Sequence, residues 1–150
     1  MAPVVEGYVD NAFVNVAYPT SSFPNAFVDF TPAAAALAVQ HADVLTNATM
    51  GPMLDGLTPT AYVAHLSVFA RGGRAEGVTA DLVFAGAGRH RTAGPVTVRL
   101  TGDLFLERTP EGPFKIFGFR LLNEAVTPET TTTATATVAA GGGAVTPTSR

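Results

Sequence analysis

The sequence contains no cysteine. Disulfide bonds, cysteine-ligated zinc sites and thiol nucleophiles are therefore excluded. Charge is also scarce: charged residues make up 14% of the chain, Lys115 is its single lysine, and the net charge is −3. Because nucleic-acid binding depends on a basic surface that neutralises phosphates, we expect no nucleic-acid partner.

Long apolar runs are missing as well. No segment reaches the ~20 apolar residues that a membrane-spanning helix needs, so we expect no membrane span. Residues 1–10 have neither the basic start nor the apolar stretch of a signal peptide. The compartment therefore stays open: the protein is cytoplasmic as the sequence is written, or extracytoplasmic if a leader has been removed.

The chain divides by composition into a core-forming part and a tail. Apolar residues make up 47% of its 150 residues, which is enough for one domain with a buried core. Residues 126–150 are rich in Thr, Ala and Gly and hold no aromatic residue. Because such a segment buries too little surface to offset the entropy of ordering it, we predict one domain over 1–125 and a disordered tail over 126–150.

Two helices are predicted near the N-terminus. Residues 4–17 carry one apolar stripe at the helical period, formed by Val5, Tyr8, Val9, Ala12, Phe13 and Val16. A second helix starts at Thr31, which can cap it, and Pro32, which suits the first helical position. Its predicted stripe is Ala33, Leu37, His41, Val44 and Leu45.

From residue 58 onward the apolar pattern changes to a two-residue period. This predicts four strands, over residues 60–70, 78–87, 95–107 and 114–122, joined by hairpin turns. Gly102 interrupts the apolar face of the third strand and indicates a bulge or a sharp bend. The predicted fold class is α+β, with two N-terminal helices packed on a curved antiparallel sheet of about four strands.

The C-terminal hairpin carries the most specific motif. In VTVRLTGDLFLERTPEGPFKIFGFRLLNE, a strand ending in a charged pair meets a glycine-containing turn and then an aromatic-rich strand. With the order helix, helix, meander, this resembles the NTF2-like (cystatin-like, SnoaL-like) superfamily, and similar hairpins occur in uncharacterised actinobacterial domains of that type. The resemblance implies a bent sheet that wraps around the helices and forms a cone-shaped cavity.

Three histidines are the first candidates for chemistry. His41, His65 and His90 share no metal-ligand spacing, so we expect no metal and no cofactor. His41 lies on the second helical stripe and is interpreted as a core or helix-edge residue, and His90 as part of a solvated hairpin end. His65 lies within a strand, where it is either a structural histidine or, if it faces the cavity, a general base.

Further candidates lie at polar strand positions. Asp81 and Arg99 are predicted to meet across neighbouring strands as an ion pair of modest worth. The weak catalytic candidates are His65, Asp81 and Asp103, which would have to converge with Tyr8 to form the constellation of a cavity isomerase. The candidate ligand-binding residues are Tyr8, His65 and Arg99.

Two classes of function follow, because the superfamily contains both enzymes and non-catalytic proteins and fold alone does not decide between them. The first is a non-catalytic small-molecule-binding or protein-interaction domain, with a small apolar ligand or a homodimer. Phe117, Phe119 and Leu121 suggest that a homodimer would form through the outer sheet face. The alternative is a small cavity enzyme, a SnoaL-like cyclase or ketosteroid-isomerase-like isomerase, that uses His65 with a nearby Asp.

Overall fold

The computed structural model describes residues 1–128, 131–138 and 148–149, and for residues 148 and 149 it describes the backbone alone. Its helices are α1 (Ala2–Val9), which continues as a π-helical turn (Asp10–Val14), α2 (Pro32–Gln40), α3 (Ala42–Leu45) and a 3-10 turn (Gly51–Met53). Its strands are β1 (Leu54–Arg71), β2 (Arg74–His90), β3 (Gly94–Arg108), β4 (Phe114–Val126), β5 (Thr131–Val138) and β6 (Thr148–Ser149). Within these residues no helix has both the length and the apolar content to cross a membrane.

The fold is α+β and is dominated by one antiparallel sheet. Its strands follow the chain order β1-β2-β3-β4-β5-β6, so each strand pairs with the next. The predicted architecture of two N-terminal helices on a sheet of about four strands is wrong, because five long strands form the sheet. The four predicted strands are present but extend further, and the fifth comes from the predicted tail.

The fifth strand, β5, lies in the segment that the composition predicts to be a disordered tail. Its sequence, TTTATATV, alternates between small apolar side chains and threonines, and Ala136 and Val138 are buried in the core. Its backbone pairs along its whole length with β4, from Val126 opposite Thr131 to Phe119 opposite Val138. Disorder is therefore wrong for 131–138, whereas residues 129–130, 139–147 and 150 of the predicted tail lie outside the described residues.

The core lies between the helices and one face of the sheet. The predicted stripe of the first helix is confirmed at Val5, Tyr8, Val9, Ala12 and Phe13, which are all buried. It is wrong at Val16, because the helical residues end at Val14 and Val16 is only half-buried. Aromatic rings link the layers, with the ring centroids of Phe13 and Phe84 5.3 Å apart. The sheet contributes mainly leucine and phenylalanine to this core: Leu82, Phe84, Leu100, Leu104, Phe119 and Leu121.

α2 begins where the sequence predicted. The Thr31 side chain accepts a hydrogen bond from the Ala34 amide at 3.3 Å, which confirms the predicted cap. His41, at the break between α2 and α3, is 6% exposed and packs edge-on against Phe119, which confirms its interpretation as a core residue. The predicted stripe is wrong at Ala33, which is exposed, because Ala34 and Ala38 form the buried face of α2.

The predicted outer-face patch on β4 is also wrong. Phe119 and Leu121 are 0% and 1% exposed and belong to the core. Phe117 packs beside Phe105, with ring centroids 6.4 Å apart. A register shift between Phe105 and Leu106 changes the alternation along this hairpin, so the simple two-residue pattern assigned Phe119 and Leu121 to the wrong face.

Candidate functional site

The sheet register brings three of the predicted catalytic candidates into one row. His65 on β1 lies opposite Asp81, Asp81 lies opposite Asp103, and Asp103 lies opposite Arg120. Leu82, which follows Asp81, is fully buried under the helices, and successive strand side chains point to opposite faces. The row therefore lies on the outer face of the sheet, away from the helices and not inside a cavity.

Arg120, which the sequence did not single out, completes this row. Its guanidinium donates a hydrogen bond to the Asp103 carboxylate, and the two groups form an ion pair. An exposed pair of this kind contributes about 0–1 kcal/mol. The predicted pair between Asp81 and Arg99 is wrong, because Arg99 lies opposite Ala85 instead.

Tyr8 lies on the other side of the sheet. Its side chain is fully buried, and its hydroxyl donates a hydrogen bond to the Leu45 carbonyl at 2.8 Å. Burial raises the pKa of Tyr8 far above its ordinary value. The structure thus does not bring Tyr8 together with His65, and ligand contact by Tyr8, His65 or Arg99 stays a prediction.

The buried hydroxyl of Tyr8 should make the free energy of unfolding depend on pH in the alkaline range. Tyr8→Phe is expected to cost about 1 kcal/mol at pH 7, because one buried hydrogen bond is lost. Above pH ~10 the unfolded chain loses the Tyr8 proton while the folded chain keeps it, so wild-type stability falls by up to ~1.4 kcal/mol per pH unit from this residue alone. Urea unfolding from pH 7 to 11 should therefore show a flatter decline for the variant.

Tyr62→Phe is the matched control, since Tyr62 is 40% exposed. Burial, followed by the charges of Glu6 and Asp10, also raises the pKa of Tyr62. Because Tyr62 lies near the surface, it should contribute less than Tyr8 to the fall of the unfolding free energy with rising pH. Parallel stability curves for wild type and Tyr8→Phe would contradict the assignment of the alkaline decline to Tyr8.

A cleft of about 260 Å³ lies at one end of the sheet. One wall is α3 and the segment after it, with Asp43, Thr46, Asn47, Thr49 and Met50, and the other is formed by β4 and β5. His90, at the end of β2, also lines this cleft. Its volume is close to the lower end of the range for small-molecule pockets.

Asn123 on β4 is the most constrained polar residue of this cleft. It is 9% exposed, and its Nδ2 donates to the carbonyls of Val44 at 3.0 Å and Thr46 at 3.3 Å. Because both partners are acceptors, the orientation of the amide is fixed. No group among the described residues donates a hydrogen bond to its Oδ1.

Asn47, after α3, repeats this arrangement. It is 4% exposed, and its Nδ2 donates to Tyr18 Oη at 2.8 Å. Tyr18 Oη donates its only proton to the Phe13 carbonyl at 3.0 Å, so it must accept from Asn47, and this fixes the second amide. In the part of the chain that the structure describes, nothing donates to Asn47 Oδ1 either.

Two further residues of the cleft carry polar groups: His90 supplies a ring N–H donor and Asp43 a negative charge. The Nδ1 atom of His90 accepts hydrogen bonds from the backbone amides of Thr92 at 3.3 Å and Ala93 at 3.1 Å. In the neutral ring the proton is therefore on Nε2. With the exposed carboxylate of Asp43, the cleft is rich in acceptors and has one ring donor.

This cleft was not predicted, because its parts come from distant segments. Asn47 and Asn123 carry no local motif, and β5, which forms one wall, was interpreted as a tail. For metals, the described residues contain no group of three His, Asp or Glu side chains placed to hold an ion. The most constrained polar groups of the site are thus two amides, one on β4 and one in the segment after α3.

Comparisons of the chain with family models, with curated proteins and with solved structures found no match. The resemblance to the NTF2-like superfamily stays a prediction.

Proposed function

We propose that the chain is a non-catalytic binding domain for a small molecule that has an apolar body and a hydrogen-bond donor, such as an ammonium or hydroxyl group. The observation that supports this proposal is the pair of buried amides, Asn47 and Asn123. Each lines the cleft and uses its NH₂ group within the protein, and no group among the described residues donates to its carbonyl oxygen.

The energetics favour a donor in the ligand. Among the described residues neither carbonyl oxygen is a fully buried unpaired atom, so water can reach both. A ligand that donates to an amide oxygen replaces this water with a direct hydrogen bond, worth about 0.5–1.5 kcal/mol each. The carboxylate of Asp43 at the same cleft favours a positive charge. Met50, Ala125 and Ala134 supply the apolar contacts, so a small amine with a hydrocarbon body matches the site.

Catalysis by His65 has less support. The alternative enzyme requires His65 and an Asp in an enclosed pocket, whereas His65 and Asp81 are exposed on the outer sheet face. In the cleft, the Nδ1 atom of His90 is occupied by two backbone amides. A binding function therefore explains the buried amides better than a cavity enzyme does.

Three probes of one shape test the proposal: benzylamine, benzyl alcohol and benzoate. In an NMR titration we expect benzylamine to shift the side-chain amide signals of Asn47 and Asn123 and the ring signals of His90. A dissociation constant of about 1 mM would correspond to about −4 kcal/mol, a reasonable value for eight heavy atoms. Benzyl alcohol should bind more weakly, and benzoate, which only accepts, should not bind.

Asp43→Asn is the informative variant, because it removes the charge and leaves the two amides in place. We expect benzylamine affinity to fall about threefold to tenfold, equivalent to about 0.7–1.4 kcal/mol. Asp81→Asn, an exposed change on the outer sheet face, should leave it unchanged. Equal responses to all three probes, or shifts away from the cleft, would refute the proposal.

A further inference from the structure

The free edge of β1 is unusual for a strand of its length. β1 has 18 residues and pairs with β2 on one side, and no described strand pairs with its other side. Between Asp55 and Arg71 it holds no Asp, Glu, Lys or Arg. Four of its large apolar side chains are 40–66% exposed: Tyr62, Val63, Val68 and Phe69.

Devices that protect an edge strand are found only near the ends of β1. Natural edges are blunted by charges, prolines and bulges. Here Pro59 and a register shift between Pro59 and Ala61 lie at one end, and a second shift lies between Phe69 and Ala70 at the other. Residues 61–69 thus form a regular, uncharged edge about 30 Å long.

We propose that a second copy of the chain pairs with this edge, β1 against β1 in antiparallel orientation, with the two-fold axis at His65. This register uses every residue of the regular run and continues the sheet across the axis. Facing residues in an antiparallel pair share one face, so Phe69 lies opposite Ala61, Leu66 opposite Ala64, and Tyr62 opposite Val68.

Side-chain size supports this register. Two of the facing pairs match a large side chain with alanine. The pair of Tyr62 and Val68 is an aromatic and a β-branched residue, which is a favourable cross-strand combination. Because the pairing is symmetric, each of these contacts occurs twice in the dimer.

Charge does not oppose pairing with a second copy. Residues 61–69 hold no Asp, Glu, Lys or Arg, so the proposed register brings no like charges together. The exposed Arg71 of each copy falls opposite Pro59 of the other, which leaves the two Arg71 residues about 12 residues, or ~40 Å, apart along the pair. The fit of the strand to itself, with Phe69 opposite Ala61, therefore favours a second copy as the partner.

A single cysteine tests the register, because the chain has none of its own. His65→Cys places two thiols across the axis, where facing Cβ atoms are ~5 Å apart, close to the spacing that a disulfide needs. Under mild oxidation we expect a covalent dimer as the main product. Arg99→Cys, an exposed change on β3, should give little covalent dimer.

Sedimentation velocity over a concentration series tests the edge without a cross-link. Wild type should form a dimer, and Val63→Lys, which puts a charge on the free edge of each copy, should weaken it at least tenfold. Thr97→Lys, an exposed change on β3, should leave the dimer intact. Circular dichroism and thermal unfolding show whether each variant remains folded.

Three results would overturn the proposal. One is a wild-type protein that remains monomeric up to ~1 mM, where an association of only about 4 kcal/mol would be visible. Another is a dimer that Val63→Lys leaves as strong as before. The third is His65→Cys that cross-links no better than Arg99→Cys. The ligand titration of the cleft is independent of these outcomes, since it uses other residues.

Discussion

Gly102→Ala is expected to lower the free energy of unfolding by about 3–5 kcal/mol. Gly102 has φ of +132°, a conformation that side chains rarely adopt, and an added Cβ would lie 2.1 Å from the carbonyl oxygen of Arg120. A strained backbone angle alone costs about 1–3 kcal/mol. The contact with the backbone of β4 adds to this cost, because it can be relieved only by separating the two strands.

Two other glycines separate these contributions. Gly112 has φ of +109° in open space, so Gly112→Ala measures the backbone strain alone. Gly77 lies within a strand, and its added Cβ would make an ordinary contact of 3.5 Å with Leu106 O, so Gly77→Ala should be neutral or stabilise by up to ~1 kcal/mol. Urea unfolding of the three variants should rank Gly102 as the most costly. Equal losses at Gly102 and Gly112 would show that β4 moves away without cost.

Gly102 also illustrates what the sequence could and could not predict. Its position on the apolar face correctly marked an irregular point of β3. Of the two predicted alternatives, the bulge is wrong, since the register shift of this hairpin lies between Phe105 and Leu106, and the sharp bend stays a prediction. The close approach of Arg120 explains the glycine, and this contact depends on strand register, which hydrophobic periodicity alone does not specify.

The first helix, the start of the second and the first four strands could be predicted, because each carries its own local signal. The break at His41, which divides the second predicted helix into α2 and α3, could not. β5 could not, because alternating alanine and threonine resemble a low-complexity tail until β4 offers them a partner. The same limit applies to the sites. His65, Asp81 and Asp103 were singled out from their positions on strands, whereas Asn47 and Asn123 become a site only when β5 closes the cleft.

Asn123→Ala is expected to lower the free energy of unfolding by about 2–4 kcal/mol, the second largest effect. The Nδ2 group of Asn123 is the side-chain donor that reaches the carbonyls of Val44 and Thr46, two fully buried residues. Alanine leaves both carbonyls without this donor and removes the link between α3 and β4. Asn25→Ala is the control, since Asn25 is exposed, and its change should stay within ~0.5 kcal/mol.

Asn123→Asp distinguishes a lost hydrogen bond from lost volume, because it keeps the size of the side chain. At pH 7 its carboxylate would face two carbonyl oxygens, so we expect a loss at least as large as that of alanine. Burial favours the protonated form, which can donate to one carbonyl, so the pKa of this residue is raised in the folded state. Stability relative to wild type should therefore recover as the pH falls towards ~4 and be lost as it rises. Urea unfolding between pH 4 and 7 measures this, and a difference from wild type that does not change with pH would mean that the side chain has turned away from α3.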